Sequence, residues 1–370
     1  MRKHWLDNLR WVTVLLVLFY HVIYFYNNKG VFGGIGGFVD NPRQQPQDIV
    51  MYILYPWFMM LLFLVAGISS RYALDKQTSK QFIKSRTLKL LVPATIGLFI
   101  FHWMTGYFNT AVARGQGVFE DVPSFVMYFI WVLSGIGPLW FIQDLWLFSL
   151  LLILIKKIDR KDRFWTWCGK ANIPVIILFG VLVWLGSQLL IMNPRPESPD
   201  GLYNLYKPLT YFVPFLLGYC VFSHDEVQDR VEKMHLPMLI CAVVACVALI
   251  WTGWGKCNTD PQFLASWLNC LYAWLMILAM LGCFKAWFDK TNRFATYMTQ
   301  SSFGIYVVHY LVIASLGYMM KVYTSLTPWM MYVILFVAVM LLSPALYEVL
   351  RRIPFVRWCV LGKKKITDIP

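Results

Sequence analysis

The chain is dominated by long apolar segments that are separated by short polar ones. Of its 370 residues, 59% are hydrophobic and 14% are charged, and the mean hydropathy is +0.57. A soluble domain carries about 25% charged residues, and a helix needs about 20 apolar residues to cross a bilayer. Several segments reach that length. The sequence therefore predicts an all-α fold, a polytopic transmembrane helix bundle that forms a single integral-membrane domain over residues 1–370.

About ten of these segments are predicted to span the membrane, and one further apolar stretch, 124–137, is too short to do so. That stretch is expected to be re-entrant or to lie on the membrane surface. The predicted spans are residues 11–27, 49–73, 88–108, 138–156, 173–192, 209–223, 236–254, 264–284, 302–320 and 329–348.

The basic residues test this arrangement, because loops on the cytoplasmic side of a membrane are enriched in Lys and Arg. With the N-terminus inside, 26 of the 33 Lys and Arg residues fall in inner segments and 7 in outer ones. The distribution predicts that both termini are cytoplasmic. The excess of basic residues, which gives a net charge of +14, is therefore explained by the orientation of the chain in the membrane. For this reason the sequence predicts no binding of nucleic acid.

The eight cysteines contain no C-x-x-C pair, and we interpret them as small apolar packing residues. Cys257 and Cys270 alone are placed to face an oxidising compartment, and the sequence leaves open whether they form a disulfide. The sequence has no P-loop and no cluster of Cys and His with metal-ligand spacing, so no metal is predicted.

The first apolar segment carries two basic groups, Arg10 at its start and His21 well inside it. In a helix, their spacing of 11 residues corresponds to about three turns plus 20°, or about 16 Å along the axis, so both side chains share one face. An ionisable group inside a span usually faces the bundle interior and marks a functional site. We interpret His21 in that way. Arg10 alone is equally explained as an anchor at the cytoplasmic edge.

Three further polar groups lie within predicted spans: His309, Asp144 and His102. His309 and Asp144 map to the middle or outer middle of the bilayer, as His21 does, and we expect them to share its cavity. A polar contact between His309 and Tyr306 is an equally good interpretation. His102 is interpreted as structural or interfacial.

The densest group of inner basic residues lies in residues 70–93 and includes Arg71, Arg86 and Lys89. Simple topology, with attraction to anionic lipids, explains such a group on physical grounds alone. The other interpretation is a phosphate site for a ligand that carries a nucleotide, because Arg binds phosphate through two hydrogen bonds.

Several stretches of the sequence together form a recognisable pattern. LDNLRWVTVLLVLFYH (6–21), in which an arginine and a histidine are separated by ten residues, resembles the signature of the acyltransferase 3 family of bacterial membrane proteins. FMMLLFLVAGISSRYAL (58–74) and FIKSRTLKLLVP (82–93) resemble the region that follows, while PLWFIQDLW (138–146) and SSFGIYVVHYLV (301–312) resemble two later segments. The resemblance extends over nearly the whole chain. Many relatives have a histidine before the LWF triplet, where this chain has Pro138.

This resemblance implies O-acyl transfer from cytoplasmic acyl-CoA, either acetyl-CoA or succinyl-CoA, to a carbohydrate or cell-envelope glycan outside the membrane. The expected protein is a multi-pass enzyme of the bacterial plasma (inner) membrane, with the lipid bilayer and a carbohydrate acceptor as its partners. His21 would be the general base or a transient acyl carrier. The candidate catalytic residues are His21, Arg10, Asp144 and His309, and the candidate acyl-CoA-binding residues are Arg10, Arg71, Arg86 and Lys89.

Three matters stay open at this point: the acyl group, the acceptor and the oligomeric state. Aromatic side chains near the outer ends of spans, such as Tyr203, Tyr206, Tyr211 and Trp254, suit either a sugar or the membrane interface. A saccharide transporter or flippase is the alternative function, and a non-catalytic scaffold or sensor is a third. Matching pairs of broken helices, which are typical of transporters, are not evident in the sequence.

Overall fold

The computed structural model describes residues 3–25, 46–114, 121–189, 208–256, 258 and 260–364. The regular structure of this part of the chain is helical throughout, as predicted for an all-α bundle. The α-helices are α1 (His4–Phe25), α2 (Ile49–Leu74), α3 (Ser79–Arg86), α4 (Val92–Ala94), α5 (Trp103–Arg114), α6 (Ser124–Ser134), α7 (Trp140–Ile158), α8 (Arg163–Cys168), α9 (Ile173–Leu189), α10 (Pro208–Cys220), α11 (Asp225–Lys233), α12 (His235–Gly253), α13 (Pro261–Leu264), α14 (Trp267–Trp287), α15 (Arg293–Tyr323), α16 (Pro328–Arg352) and α17 (Pro354–Leu361). Single turns of 3₁₀-helix lie at Pro46–Asp48 and Gly137–Leu139, and π-helical turns at Thr87–Leu91 and Leu98–His102.

Eight helical segments in the described residues are long and apolar enough to cross a membrane. They correspond to eight of the ten predicted spans. The fifth and sixth predicted spans are the shorter helices α9 and α10, with 17 and 13 residues. The polytopic helical class is therefore confirmed, while the number of spans and the side of the termini stay predictions. The stretch predicted to be too short to span forms α6, with 11 residues.

The chain divides into two compact units. The first unit comprises Met1–Thr13, Tyr52–Arg86 and Asp144–Thr299, and the second comprises Val14–Met51, Thr87–Gln143 and Gln300–Pro370. The prediction of a single domain over the whole chain is untested, and each unit is described below by itself.

In the first unit, α14 is the central helix, because α9, α11 and α12 all pack against it. Its interior positions are almost fully buried, and Trp274 at 1% exposure donates its indole N–H to the Ile176 carbonyl at 3.0 Å. A close approach joins α2 to α10, where a Cβ at Gly67 would lie 2.0 Å from the Phe215 carbonyl oxygen. Small residues at such crossings let membrane helices approach closely.

In the second unit, α5 packs along α6, and α17 packs against α4 and α16. The α5–α6 crossing is also made by glycines. A Cβ at Gly106 would lie 1.7 Å from the Trp131 carbonyl oxygen, and one at Gly135 would lie 2.1 Å from the His102 carbonyl oxygen. The two helices therefore contact each other backbone to backbone.

The third predicted span, residues 88–108, lies within one apolar segment from Ser79 to Ala111 whose helix is twice widened into a π turn. Pro93 lies between the two turns and has no backbone N–H to donate. The neighbouring carbonyls are satisfied by side chains, since Thr95 Oγ1 donates to the Leu91 carbonyl at 2.6 Å and Gln143 Nε2 to the Ala94 carbonyl at 3.2 Å. The second π turn ends at His102, immediately before α5.

Candidate active site

Two histidines meet in the second unit. His21 on α1 and His309 on α15 approach with 3.3 Å between His21 Nδ1 and His309 Nε2, and their ring centroids are 5.1 Å apart. His309 is fully buried, and His21 is half-buried. Two of the four candidate catalytic residues, 288 positions apart in the chain, therefore contact each other directly.

Backbone carbonyls determine which nitrogen of each ring carries the proton. His21 Nδ1 lies 2.9 Å from the Val17 carbonyl oxygen, and His309 Nδ1 lies 2.5 Å from the Tyr306 carbonyl oxygen. A carbonyl oxygen can only accept, so the Nδ1 atom of each neutral ring is the donor. His309 Nε2 then has a lone pair that accepts from His21 Nδ1–H. The Nε2 atom of His21 also has a lone pair, and no hydrogen bond from the described residues reaches it.

Tyrosines surround the pair. The Tyr310 ring centroid lies 5.3 Å from that of His21, and the Tyr306 ring centroid lies 5.6 Å from that of His309. The Tyr306 hydroxyl donates to the Pro138 carbonyl. Tyr310 is a member of this group that was not predicted from the sequence. Its position directly after His309 was the available signal.

Arg10 lies on the same uninterrupted helix as His21, so the shared face predicted from the spacing applies to the helix as it is formed. Its guanidinium forms an ion pair with Asp7 at 3.1 Å, and 39% of its side chain is exposed. Asp7 is one turn earlier on α1, so this pair holds the Arg10 side chain along the first turns of the helix.

Arg71, in the first unit, is held by the loop before α8. Its Nη1 and Nη2 atoms donate to the two carboxylate oxygens of Asp162 at 2.7 and 3.2 Å, and Asp75 lies 3.2 Å from its Nε. The guanidinium also lies 3.9 Å from the centre of the Trp165 ring. Its charge is already matched by carboxylates, and an incoming phosphate would compete with Asp162 for it.

Arg86 differs from Arg71, because no carboxylate among the described residues pairs with it. Its Nη2 donates to Ser70 Oγ at 3.0 Å, and its guanidinium lies 5.0 Å from the Phe82 ring centre. The charge that acts on it is the like charge of Arg10. A half-buried guanidinium in this position is well suited to bind an anion. Lys89, in the second unit, is exposed in the π turn at Thr87–Leu91.

Asp144 is buried in α7, in the first unit, with 2% exposure. No hydrogen bond from the described residues reaches its Oδ2 atom. Its burial agrees with the expectation that an acidic side chain inside a span faces the protein interior. Its role as a catalytic residue stays a prediction.

The remaining sequence predictions concern aromatic residues and cysteines. Tyr211 is buried, and its ring is 5.1 Å from that of Phe63. Cys270 is buried, with its Sγ atom 3.4 Å from Ser187 Oγ. Tyr203, Tyr206 and Cys257 lie outside the described residues, so the disulfide between Cys257 and Cys270 that the sequence leaves open is not tested.

Comparison with known proteins gives one result. The family described as an acyltransferase domain matches residues 3–348, which is nearly the whole chain and includes both histidines. No curated protein matches the chain, and no solved structure does.

Proposed function

The chain belongs to the acyltransferase 3 family, and we propose that it transfers an acyl group from cytoplasmic acyl-CoA to a hydroxyl of a carbohydrate outside the membrane. Its helices and its family make it a multi-pass membrane acyltransferase. The identities of the acyl donor and of the acceptor are what we propose beyond this.

The observation that supports this chemistry best is the lone pair on His21 Nε2. A general base must present an unprotonated nitrogen to the hydroxyl that it activates. The Val17 carbonyl, together with His309, fixes the proton of His21 on Nδ1 and so leaves Nε2 available. This is the arrangement by which a second group orients a catalytic histidine in a triad.

The reaction then proceeds by addition and elimination at the thioester. As the acceptor oxygen forms its bond to the acyl carbon, its proton passes to His21 Nε2. The carbon–sulfur bond breaks, and the CoA thiolate takes the proton back from the imidazolium. His309 Nε2 accepts the Nδ1–H of His21 throughout and stabilises the positive ring. The step needs no net gain or loss of protons by the enzyme.

The phosphates of the donor are assigned to basic residues on the predicted cytoplasmic side, namely Arg10, Arg71, Arg86 and Lys89. Arg86 is the first of these, since it has no carboxylate partner among the described residues and repels the Arg10 guanidinium. A phosphate between Arg86 and Arg10 would relieve that repulsion. Arg71 and Lys89 are secondary, and Arg71 would first exchange Asp162 for the ligand.

The acyl group and the acceptor are proposed from a narrower resemblance. YFVPFLLGYCVF (211–222), SSFGIYVVH (301–309) and ALYEVLRRIPFVRWCVLGK (345–363) resemble glucans biosynthesis protein C, a succinyltransferase that acts on periplasmic glucans. We therefore propose succinyl-CoA as the donor and a periplasmic glucan as the acceptor, in a bacterial inner membrane. Those three stretches are the whole basis of this finer assignment.

The test is acceptor-dependent release of CoA thiol by the purified protein with succinyl-CoA and a glucan oligosaccharide. We expect His21→Gln to lower the rate about 10²- to 10⁴-fold, the usual cost of losing a general base, because Gln keeps the polarity but cannot take the proton. His235→Gln is the matched control, since His235 lies at the start of α12 and contacts Trp287.

A folded His21→Gln protein with wild-type transfer would show that His21 is structural. Base and acyl carrier are separated by mass spectrometry of protein treated with donor alone. An acylated peptide that covers residues 11–25 would assign the carrier role to His21.

A further inference from the structure

Three side chains on α5 and on the π turn that precedes it share one unusual property. His102, Thr105 and Asn109 each have a buried polar atom, respectively Nε2, Oγ1 and Oδ1, that no hydrogen bond from the described residues reaches. His102 is 3% exposed and Thr105 is 1% exposed. We call this set the α5 stripe.

The α5 stripe occupies one face of its helix. Its members are separated by three and four residues, the spacing at which helical side chains lie above one another. The set extends about 10 Å along the axis. His102 ends the second π turn, and such turns occur frequently at functional sites, where they rotate a side chain out of the regular register.

A neighbouring residue shows that buried polar atoms without a hydrogen bond are not a general feature of this helix. Thr110 Oγ1 donates to the Gly106 carbonyl of its own helix at 3.0 Å. Thr105 forms no such bond. Asn109 Nδ2 donates to the Ser134 carbonyl at 2.9 Å, and no hydrogen bond from the described residues reaches its Oδ1 atom. A buried polar atom without a protein partner costs about 1–3 kcal/mol unless a water or ligand binds it.

The α5 stripe lies on a segment that packs near the helix of His309. The Phe108 ring on α5 lies 5.9 Å from the Tyr318 ring on α15, the helix that carries His309, and both residues belong to the second unit. From His102 the stripe extends toward the C-terminal end of α5, through Thr105 and Asn109. A ligand that binds along it would lie beside the helix that carries His309, the partner of His21.

From this geometry we propose that the α5 stripe binds hydroxyl groups of the carbohydrate acceptor and so directs one hydroxyl to His21. The stripe offers neutral groups only: an acceptor at Asn109, a donor and acceptor at Thr105, and a ring nitrogen at His102. Sugar hydroxyls both donate and accept, so they match this mixture, whereas an anion would need donors or cationic groups throughout. The proposal rests on the proposed function and identifies the surface that recognises the acceptor.

The test measures KM for a glucan oligosaccharide and KM for succinyl-CoA separately, by thiol release from the purified full-length protein. Thr105→Val removes the hydroxyl and keeps the volume, and we expect it to raise the acceptor KM about 3- to 10-fold, the effect of one hydrogen bond. The donor KM should be unchanged. Thr105→Ser, which restores a hydroxyl, should recover most of the acceptor affinity.

Thr110→Val is the matched control, because it removes a hydroxyl from the same helix whose partner is the backbone of that helix. It should leave both KM values unchanged. Equal acceptor KM values for wild type and Thr105→Val would overturn the proposal, as would an equal rise in Thr110→Val. If wild-type protein shows no acceptor-dependent thiol release, the proposed function fails instead, so the two failures are distinguishable.

Discussion

At the residue scale, the position of one proton determines what His21 can do. The Val17 carbonyl and His309 both accept from Nδ1, so the free lone pair is on Nε2. His309 is in turn held by the Tyr306 carbonyl, and Tyr306 by the Pro138 carbonyl. These contacts join three segments of the chain and orient the two histidine rings. The orientation of His21 for catalysis depends on His309 Nε2, which accepts its hydrogen bond.

We therefore expect His309→Leu to lower kcat about 10- to 100-fold through misorientation of His21, with little change in either KM. His309→Gln keeps an oxygen that can accept from His21 Nδ1–H, so it should retain more activity than His309→Leu. Thermal unfolding in detergent checks that both variants fold. Equal kcat values for the Leu and Gln variants would show that His309 acts through packing and not through its acceptor atom.

At the element scale, the loop between α7 and α8 is attached to α2 by the Arg71–Asp162 pair. Asp162 has a positive φ of 51°, which Asp and Asn tolerate better than most residues. Trp165 stacks on His224 with 3.9 Å between ring centroids, and its indole N–H donates to Ser223 Oγ. The hydrogen bond from Arg71 lowers the pKa of the Asp162 carboxyl. This attachment therefore depends on an ionised carboxylate.

Asp162→Asn tests that dependence, since Asn keeps the tolerance of positive φ and loses only the charge. The native pKa is below the unfolded value of about 3.9, so the pair stabilises fully above that pH and is lost as the pH falls through the native pKa. We expect Asp162→Asn to cost about 1 kcal/mol at pH 7, because the Asp162 side chain is 41% exposed.

The measurement is thermal unfolding in detergent between pH 7 and pH 3. The difference between wild type and Asp162→Asn should shrink below about pH 4, where the wild-type carboxyl becomes protonated. Asp121→Asn is the control, because Asp121 is exposed and forms no ion pair with the described residues. A difference that is constant across this pH range would contradict the role of the charge.

At the scale of the whole molecule, the distribution of basic residues predicts ten spans with both termini in the cytoplasm. Eight helical segments of the described chain have the length and composition to span. The remaining two, α9 and α10, end and begin next to residues 190–207, which the structure does not describe. Labelling of loops in intact cells therefore decides the topology.

Single cysteines at exposed positions provide that test, on a background in which the exposed Cys241 and also Cys257, which follows Lys256 in the predicted outer loop, are replaced by serine. We expect Lys256→Cys to react with a membrane-impermeant maleimide added to intact cells, because residue 256 follows α12 on the predicted outer side. Lys161→Cys should react only after permeabilisation. Labelling of Lys161→Cys in intact cells would reverse the predicted orientation.

The sequence by itself determined the fold class and the face of the first helix. Long apolar segments need backbone hydrogen bonds within themselves, so only helices satisfy them in a bilayer. Helical periodicity is local, and it placed Arg10 and His21 on one face before any packing was known. The cost of burying an ionisable group likewise identified His309 and Asp144 as candidates.

Only the tertiary structure decided which groups meet. The contact of His309 with His21, and that of Arg71 with Asp162, join residues 288 and 91 positions apart, and no local pattern specifies such pairs. His102 was interpreted from the sequence as structural because it was considered alone. Its proposed role depends on the finding that no hydrogen bond from the described residues reaches His102 Nε2 or Thr105 Oγ1. Whether a buried polar atom has a partner is decided by all the neighbours that packing brings to it.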